Sequence, residues 1–221
     1  MLCVFDINET LLDLTALDEM FLDLTGSATA REEWFTLVIH TALTVTATGG
    51  YRDFAEIAGA AAGAIAAGYG RPFDDAQRQR IGAGLRELPP HPDVPDALAR
   101  LRGDGFTLVA LGNSPLATIE AQLANSGLAG LFDRVFSAEQ AGALKPAAAP
   151  YRQVLDAYDI RADEAIMIAA HDWDIAGAQA AGLRTGFVAR PGQTELPGAP
   201  AATLTAPDLG ALAELVRTQP R

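Results

Sequence analysis

The sequence predicts an α/β fold, a parallel sheet covered by helices on both faces, with an all-helical insert placed early in the chain. Short apolar runs of four to six residues recur at Leu2 to Phe5, Phe106 to Leu111, Ala165 to Ala169 and Thr185 to Val188. Helical patterns such as Pro115 to Ser126 and Asp174 to Ala181 separate them, and strands alternating with helices are the signature of a parallel, two-faced sheet. Between residues 14 and 88 the pattern changes to Ala/Leu-rich stretches with helical spacing and no convincing strand, as in Glu32 to Thr46 and Asp53 to Ala67.

Each element follows from local chemistry. The run Leu2-Cys3-Val4-Phe5 has the composition of a fully buried strand and stops at the polar loop Asp6-Ile7-Asn8-Glu9-Thr10. Cys3, the single cysteine, reads as a small core hydrophobe in this strand. Trp34 and Phe35 read as core of the insert, able to line a pocket beneath it, and His40 as structural or cap-lining. Asp13, Asp18, Glu19 and Asp23 read as a solvated entry to the insert, and the small residues of Ala58 to Ala67 suit close helix packing. The insert ends at Leu88-Pro89-Pro90-His91-Pro92-Asp93, a stiff connector, in which His91 receives no role. The division expected is therefore a core of residues 1–13 and 89–221 with a helical cap of residues 14–88. After the last apolar run, Pro191 to Ala201 reads as a Pro/Gly-rich loop and Asp208 to Arg217 as a final helix. In open parallel sheets the site gathers beyond the carboxyl ends of the strands, so the polar residues after each run are the candidates for chemistry.

The bulk properties exclude several function classes. The chain has 221 residues, 49% apolar and 20% charged, and a formal net charge of -12. Such a composition packs a core, and the charge repels nucleic-acid backbones and anionic membranes. No segment reaches the roughly 18 uninterrupted apolar residues of a membrane span, and a cytoplasmic location is expected.

Four motifs follow in order along the chain. They are Phe5-Asp6-Ile7-Asn8-Glu9-Thr10, then Leu111-Gly112-Asn113-Ser114-Pro115, then Leu144-Lys145-Pro146, and finally Ala169-Ala170-His171-Asp172-Trp173-Asp174 running into Ile175-Ala176-Gly177-Ala178. Taken together they resemble the motifs of the haloacid dehalogenase superfamily, and in particular its L-2-haloacid dehalogenases (type II). The resemblance implies a Rossmann-like core with a helical cap, in which Asp6 is a nucleophile that forms a covalent aspartyl intermediate. It implies that Lys145 keeps Asp6 ionised and aimed, that Thr10 supports the nucleophile loop, and that Asp174 with His171 positions or deprotonates water. Asn8, Asn113, Ser114, Tyr151 and Trp173 are the implied substrate-binding residues; homodimers are common among similar enzymes.

The departures from the superfamily pattern select among reactions. Its phosphatases carry an acid/base aspartate two residues after the nucleophile, where this chain has Asn8, and an amide cannot shuttle a proton. Their magnesium-binding Gly-Asp pair aligns with Ala169-Ala170, and methyl groups cannot ligate a hard cation. Displacement at carbon requires neither, so the expectation is a metal-independent, cofactor-free hydrolase of small 2-haloalkanoic acids. The alternatives are a phosphatase with an atypical magnesium site built on Asp172 and Asp174, or a catalytically degenerate binding member, against which the presence of Asp6 and Lys145 counts. Three dehalogenase features are also missing. Gly112, Ala170 and His171 stand where Ser, Ser and Asn are expected; Asn8 replaces an aromatic; and no arginine aligns near Trp34 to Leu37, which leaves Arg31 and Arg52 as unaligned candidates for a cap arginine.

Overall fold

The computed structural model describes residues 1–219. Its sheet has six parallel strands in the order β3-β2-β1-β4-β5-β6: β1 (Leu2–Phe5), β2 (Thr107–Gly112), β3 (Arg134–Ser137), β4 (Ala165–Ala169), β5 (Arg184–Val188) and β6 (Leu204–Ala206). β1 lies in the middle, in register with β2 from Leu2 opposite Thr107 and with β4 from Leu2 opposite Ala165. Because side chains alternate across a strand, Cys3 and Phe5 join one apolar cluster while Leu2 and Val4 join the other. Cys3 is fully buried, and burial pushes its thiol up to about 12, so it behaves as a core hydrophobe.

The core helices are α5 (Val94–Gly103), α6 (Leu116–Asn125), α7 (Ala148–Tyr158), α8 (Asp172–Ala180) and α9 (Leu209–Arg217). Between β1 and α5 come the four helices of the insert: α1 (Asp18–Thr25), α2 (Ala30–Ala47), α3 (Phe54–Gly68) and α4 (Asp75–Arg86). Trp34 and Phe21 stack at 4.9 Å between ring centroids, and the Trp34 indole N–H donates to the Ala58 carbonyl at 2.9 Å, which locks α2 to α3. The chain leaves and re-enters the core side by side, since Asp13 N–H donates to the Pro89 carbonyl at 2.8 Å and Leu12 bridges Pro90. The insert and one face of the sheet share a single apolar cluster that runs from Phe5 and Ile7 to Trp34 and Phe35.

Two strands were not expected from the sequence. β3 has four residues, partly exposed at one sheet edge, and β6 has three at the other, within the tail read as loop and helix. Edge strands are covered less than central ones and so carry no long apolar run. His40, read as structural or cap-lining, is exposed, because it falls on the outer face of α2 while Trp34 and Val38 face inward. No helix of the described residues is long and apolar enough to cross a membrane.

Candidate active site

The carboxyl ends of β1, β2 and β4 converge on Asp6. The strand ends at Phe5, the Asp6 N–H still donates to the Ile168 carbonyl at 3.0 Å, and the chain then turns sharply, so the carboxylate stands at the mouth of the sheet. Lys145 Nζ donates to Asp6 Oδ1 at 2.8 Å, and the Thr10 hydroxyl donates to Oδ2 at 2.7 Å while accepting the Ala170 N–H at 2.9 Å. His171 Nδ1 lies 3.0 Å from the same Oδ2. Burial opposes ionisation of Asp6, but the charge of Lys145 and the hydrogen bond and charge of His171 hold its carboxyl well below the usual range. The carboxylate is therefore ionised, aimed and only slightly exposed.

Lys145 is a hub. Its three ammonium hydrogens go to Asp6, to the Leu111 carbonyl at 3.0 Å and to Asp174 Oδ2 at 2.6 Å. Burial disfavours the charge, yet the two carboxylates raise its pKa. Asn113 braces the lysine from behind, accepting the Lys145 backbone N–H at 2.8 Å and donating to its carbonyl at 3.4 Å. Asp174 is fully buried and its other oxygen accepts the Tyr151 hydroxyl at 2.6 Å. Burial and the charge of Asp6 raise the Asp174 pKa against the pull of Lys145. Of the two carboxylates that share one lysine, Asp6 carries the charge more readily. Asp174 and Tyr151 stand behind Lys145 and do not line the pocket. Gly177, one turn of α8 beyond Asp174, has no room for a side chain: a Cβ there would sit 2.4 Å from Pro146 Cβ and 2.7 Å from the Tyr151 hydroxyl.

The residue with the most unusual surroundings is Glu9, which the sequence reading did not single out. It is a non-glycine residue with φ 58, a left-handed conformation that costs on the order of 1–3 kcal/mol unless surroundings enforce it. Its carboxylate enforces it: Oε2 accepts from His171 Nε2 at 2.9 Å and Gln193 Nε2 at 3.2 Å, and Oε1 lies 3.6 Å from Arg31. Its backbone carbonyl meets His91 Nε2 at 3.1 Å. His171 thus lies buried between two carboxylates. Burial alone would depress its pKa, but the hydrogen bonds and charges of Asp6 and Glu9 raise it to about 10. With an acceptor at each ring nitrogen, the resting imidazole carries both protons. Trp173 stacks on the imidazole at 5.1 Å and 19°, and Phe35 approaches its other side at 5.7 Å.

Above Asp6 is a small cavity of about 20 Å³ lined by Ile7, Asn8, Gly112, Asn113, Ser114, His171 and Trp173 from the core and by Phe35, Ile39 and Phe54 from the insert. The insert contributes only apolar walls. Arg31 is buried but turned away from the pocket, its Nε on Asp18 at 2.7 Å, and Arg52 is exposed at the surface. Gly112 cannot be read as a missing serine with space left over, because a Cβ there would sit 2.8 Å from Ile119 Cδ1 and 2.9 Å from Ile7 Cδ1. Arg190, likewise unforeseen, pins the loop that follows β1 by donating to the Thr10 carbonyl at 2.9 Å and pairing with Asp93.

A carboxylate presented from the first strand of a parallel sheet, held by a lysine from a later loop and roofed by a helical insert, is a family-level arrangement. The model of the haloacid dehalogenase-like hydrolases matches residues 1–182. The chain belongs to that family. Among curated relatives, this hydrolase is 29% identical over 185 residues to (S)-2-haloacid dehalogenase 1 of Pseudomonas sp. (strain CBS-3), covering 83% of the chain and 82% of the relative. It is 31% identical over 119 residues to haloacetate dehalogenase H-2 of Moraxella sp. (strain B), a match spanning 54% of this chain and about half (53%) of that relative. The L-2-haloacid dehalogenase structure from Xanthobacter autotrophicus superposes on it with a TM-score of 0.92 at 23% identity, each chain covered fully (100%), which shows the shared fold with its helical cap.

The family also contains enzymes that work with a divalent cation, and the donor set here does not suit one. Beside Asp6 the positions that would supply oxygen ligands are Ala169 and Ala170, and the space is taken by the cations Lys145 and His171. Asp172, the first residue of α8, has its carboxylate turned to its own backbone, accepting the Trp173 N–H at 2.7 Å. A hard cation needs several oxygens, which this arrangement replaces with methyl groups and positive charge.

Proposed function

We propose that this hydrolase removes halogen from small 2-haloalkanoic acids without a metal, through an ester formed on Asp6. The observation that carries the reading is the state of Asp6: an ionised carboxylate, fixed by Lys145, Thr10 and His171 at the floor of a small pocket with apolar walls. Such a nucleophile suits displacement at carbon, where a desolvated anion attacks and a halide departs. Both curated relatives, a haloacetate dehalogenase and an (S)-2-haloacid dehalogenase, agree with that chemistry.

In the first half-reaction an Asp6 oxygen bonds to C2 from the face opposite the halogen. The C–X pair leaves with the halide and the configuration at C2 inverts. Lys145 keeps the attacking group ionised; Phe35, Ile39, Phe54 and Trp173 exclude bulk water. Ester formation removes the Asp6 charge, the larger of the two supports that keep His171 protonated. The imidazole pKa then falls, and the Nδ1 proton is released to solvent. In the second half-reaction Nδ1 takes a proton from water as the water oxygen attacks the ester carbonyl, and collapse expels the 2-hydroxy acid, whose alkoxide oxygen takes that proton back from Nδ1. The new Asp6 carboxyl returns its own proton to Nδ1. One halide and one proton are released per turnover. Glu9 holds Nε2–H throughout, which makes Nδ1 the basic nitrogen, as the buried carboxylate does in acyl-transfer triads. Asp174, occupied by Lys145 and Tyr151, positions the lysine instead.

The test is a single-turnover reaction with chlorinated and brominated 2-haloacids in heavy-oxygen water. Label entering Asp6, halide release that survives EDTA, and loss of both in Asp6→Asn are the expected results. Turnover with no label in Asp6 removes the ester mechanism, and phosphate release from p-nitrophenyl phosphate that depends on magnesium would favour a phosphatase.

A further inference from the structure

The amide of Asn8 is oriented by a chain of hydrogen bonds that begins outside the pocket. The Leu85 carbonyl, at the end of α4 in the insert, can only accept. Gln122 of α6 donates to it through Nε2 at 2.8 Å and, with the second hydrogen of the same nitrogen, to Asn8 Oδ1 at 2.9 Å. Reversing the Gln122 amide would set its oxygen against the Leu85 oxygen, so the backbone carbonyl decides which way the amide faces. Gln122 is 1% exposed, and its Oε1 is the single buried side-chain polar atom without a hydrogen-bond partner among the described residues. A buried orphan acceptor is a cost that native structures rarely carry without a purpose.

With Oδ1 turned to Gln122, Asn8 presents its Nδ2 hydrogens on the opposite side. Asn8 lines the pocket and Gln122 does not, and no hydrogen bond to Nδ2 occurs among the described residues. The cations nearby are committed, Lys145 to Asp6, Leu111 and Asp174, and His171 to Asp6 and Glu9. The side-chain donors that line the pocket with no hydrogen bond among the described residues are therefore Asn8 Nδ2, the Ser114 hydroxyl and the Trp173 indole N–H, of which Asn8 alone is aimed by a second side chain. Asn113 gives an N–H to the Lys145 carbonyl, and Arg31 faces Asp18 and Glu9.

We propose that Asn8 Nδ2, aimed by Gln122, is the donor that recognises the anionic part of the substrate, the carboxylate of the haloacid or the departing halide, in place of a cap arginine. This rests on the dehalogenase reading and adds to it a recognition residue, Asn8, and a positioning residue, Gln122. Because the Gln122 amide also holds the last turn of α4, the donor points correctly only when the insert is seated on the core.

The experiment measures binding of bromide and of propionate to the intact protein through Trp173 fluorescence, alongside inhibition of halide release. In Asn8→Ala the dissociation constant of the recognised anion rises about tenfold, as expected for a lost hydrogen bond to a charged group. Gln122→Leu and Gln122→Met, both apolar and of similar size, give the same rise, and adding either to Asn8→Ala adds little. A rise for bromide alone assigns the donor to the halide, and a rise for propionate alone assigns it to the carboxylate. KM follows the binding constants in these variants. The inference is overturned if neither anion's constant moves by more than about twofold in Asn8→Ala, or if both Gln122 variants bind as wild type does. Anion binding with no halide release from any 2-haloacid would instead sink the dehalogenase reading and leave the donor intact.

Discussion

Replacing Glu9 with Gln is expected to separate the two half-reactions. The Glu9 carboxylate lies 2.9 Å from His171 Nε2 with its side chain 15% exposed, and a hydrogen bond to a charged group is worth about 1.5–3 kcal/mol. At about 1.4 kcal/mol per pKa unit, its loss lowers the imidazole pKa by roughly one to two units. The second effect is larger. A glutamine amide can donate to Nε2, which stabilises the tautomer with its proton on Nδ1, where no water can be deprotonated. General-base contributions are about 10²–10⁴-fold, and ester hydrolysis should slow by a factor in that range. The first displacement needs only Asp6 and Lys145, so its rate should change by less than about threefold. Rapid-quench measurement of halide and hydroxy acid, with mass spectrometry of the protein, resolves the phases: a full halide burst followed by accumulation of the alkylated enzyme is expected. Hydrolysis at the wild-type rate, or a halide burst that falls in step with hydrolysis, would refute the assignment of His171 and Glu9. In the wild-type enzyme the hydrolysis phase should accelerate as pH rises, since the base must lose a proton, with an apparent pKa below the value of about 10 that His171 has when Asp6 is charged.

Other expectations follow from the same contacts. Lys145→Met leaves Asp6 and Asp174 buried without their shared cation; denaturant titration should show a loss of about 3–5 kcal/mol, and halide release should be abolished. The folded-state pKa of His171 is raised from 6.5 to about 10. Its contribution to stability is therefore complete below about pH 6.5 and is lost as pH rises toward about 10. Urea midpoints should fall across that interval, and the fall should be smaller in His171→Asn. Gly177→Ala forces a methyl group into Pro146 and Tyr151 and should cost about 1–3 kcal/mol by overpacking, with activity lost through displaced Asp174 and Lys145. Unchanged melting in that variant would show that α8 can shift away from α7.

Much of the site was legible in the chain because its parts lie at strand ends, and strand ends are marked by a switch from apolar to polar residues. Asp6, Asn113 and His171 each follow such a switch, whereas Lys145, in the loop between β3 and α7, was marked by its place before Pro146 and between the other motifs; the structure brings all four to one place. Tyr151 and Asp174 were also named, but their position behind Lys145, one carboxylate removed from the pocket, depends on how α7 packs against α8. Glu9 lay inside a recognised motif and passed unnoticed, since its significance is the left-handed backbone and the distance to His171, neither of which a linear pattern encodes. Gln122 had no signal at all: a lone amide on a helix gains meaning only from the carbonyl and the amide that fold against it.

The sequence by itself determined the sheet's central strands, the helical nature of the insert, the strand-end carboxylate Asp6 and the lysine Lys145 as candidates, and the two methyl side chains of Ala169 and Ala170 at the end of β4. These are properties of residue type and local periodicity, which survive without knowledge of neighbours. Tertiary structure alone decided that Arg31 turns away from the pocket, that Asp174 pairs with Lys145, that His171 is held between two carboxylates, and that Asn8 turns its oxygen to Gln122. Each of these concerns which hydrogen-bonding partner a buried polar group finds. Burial makes an unpaired group costly, so the choice is made by residues as much as 165 positions apart, such as Asp6 and His171, that meet only when the sheet has formed.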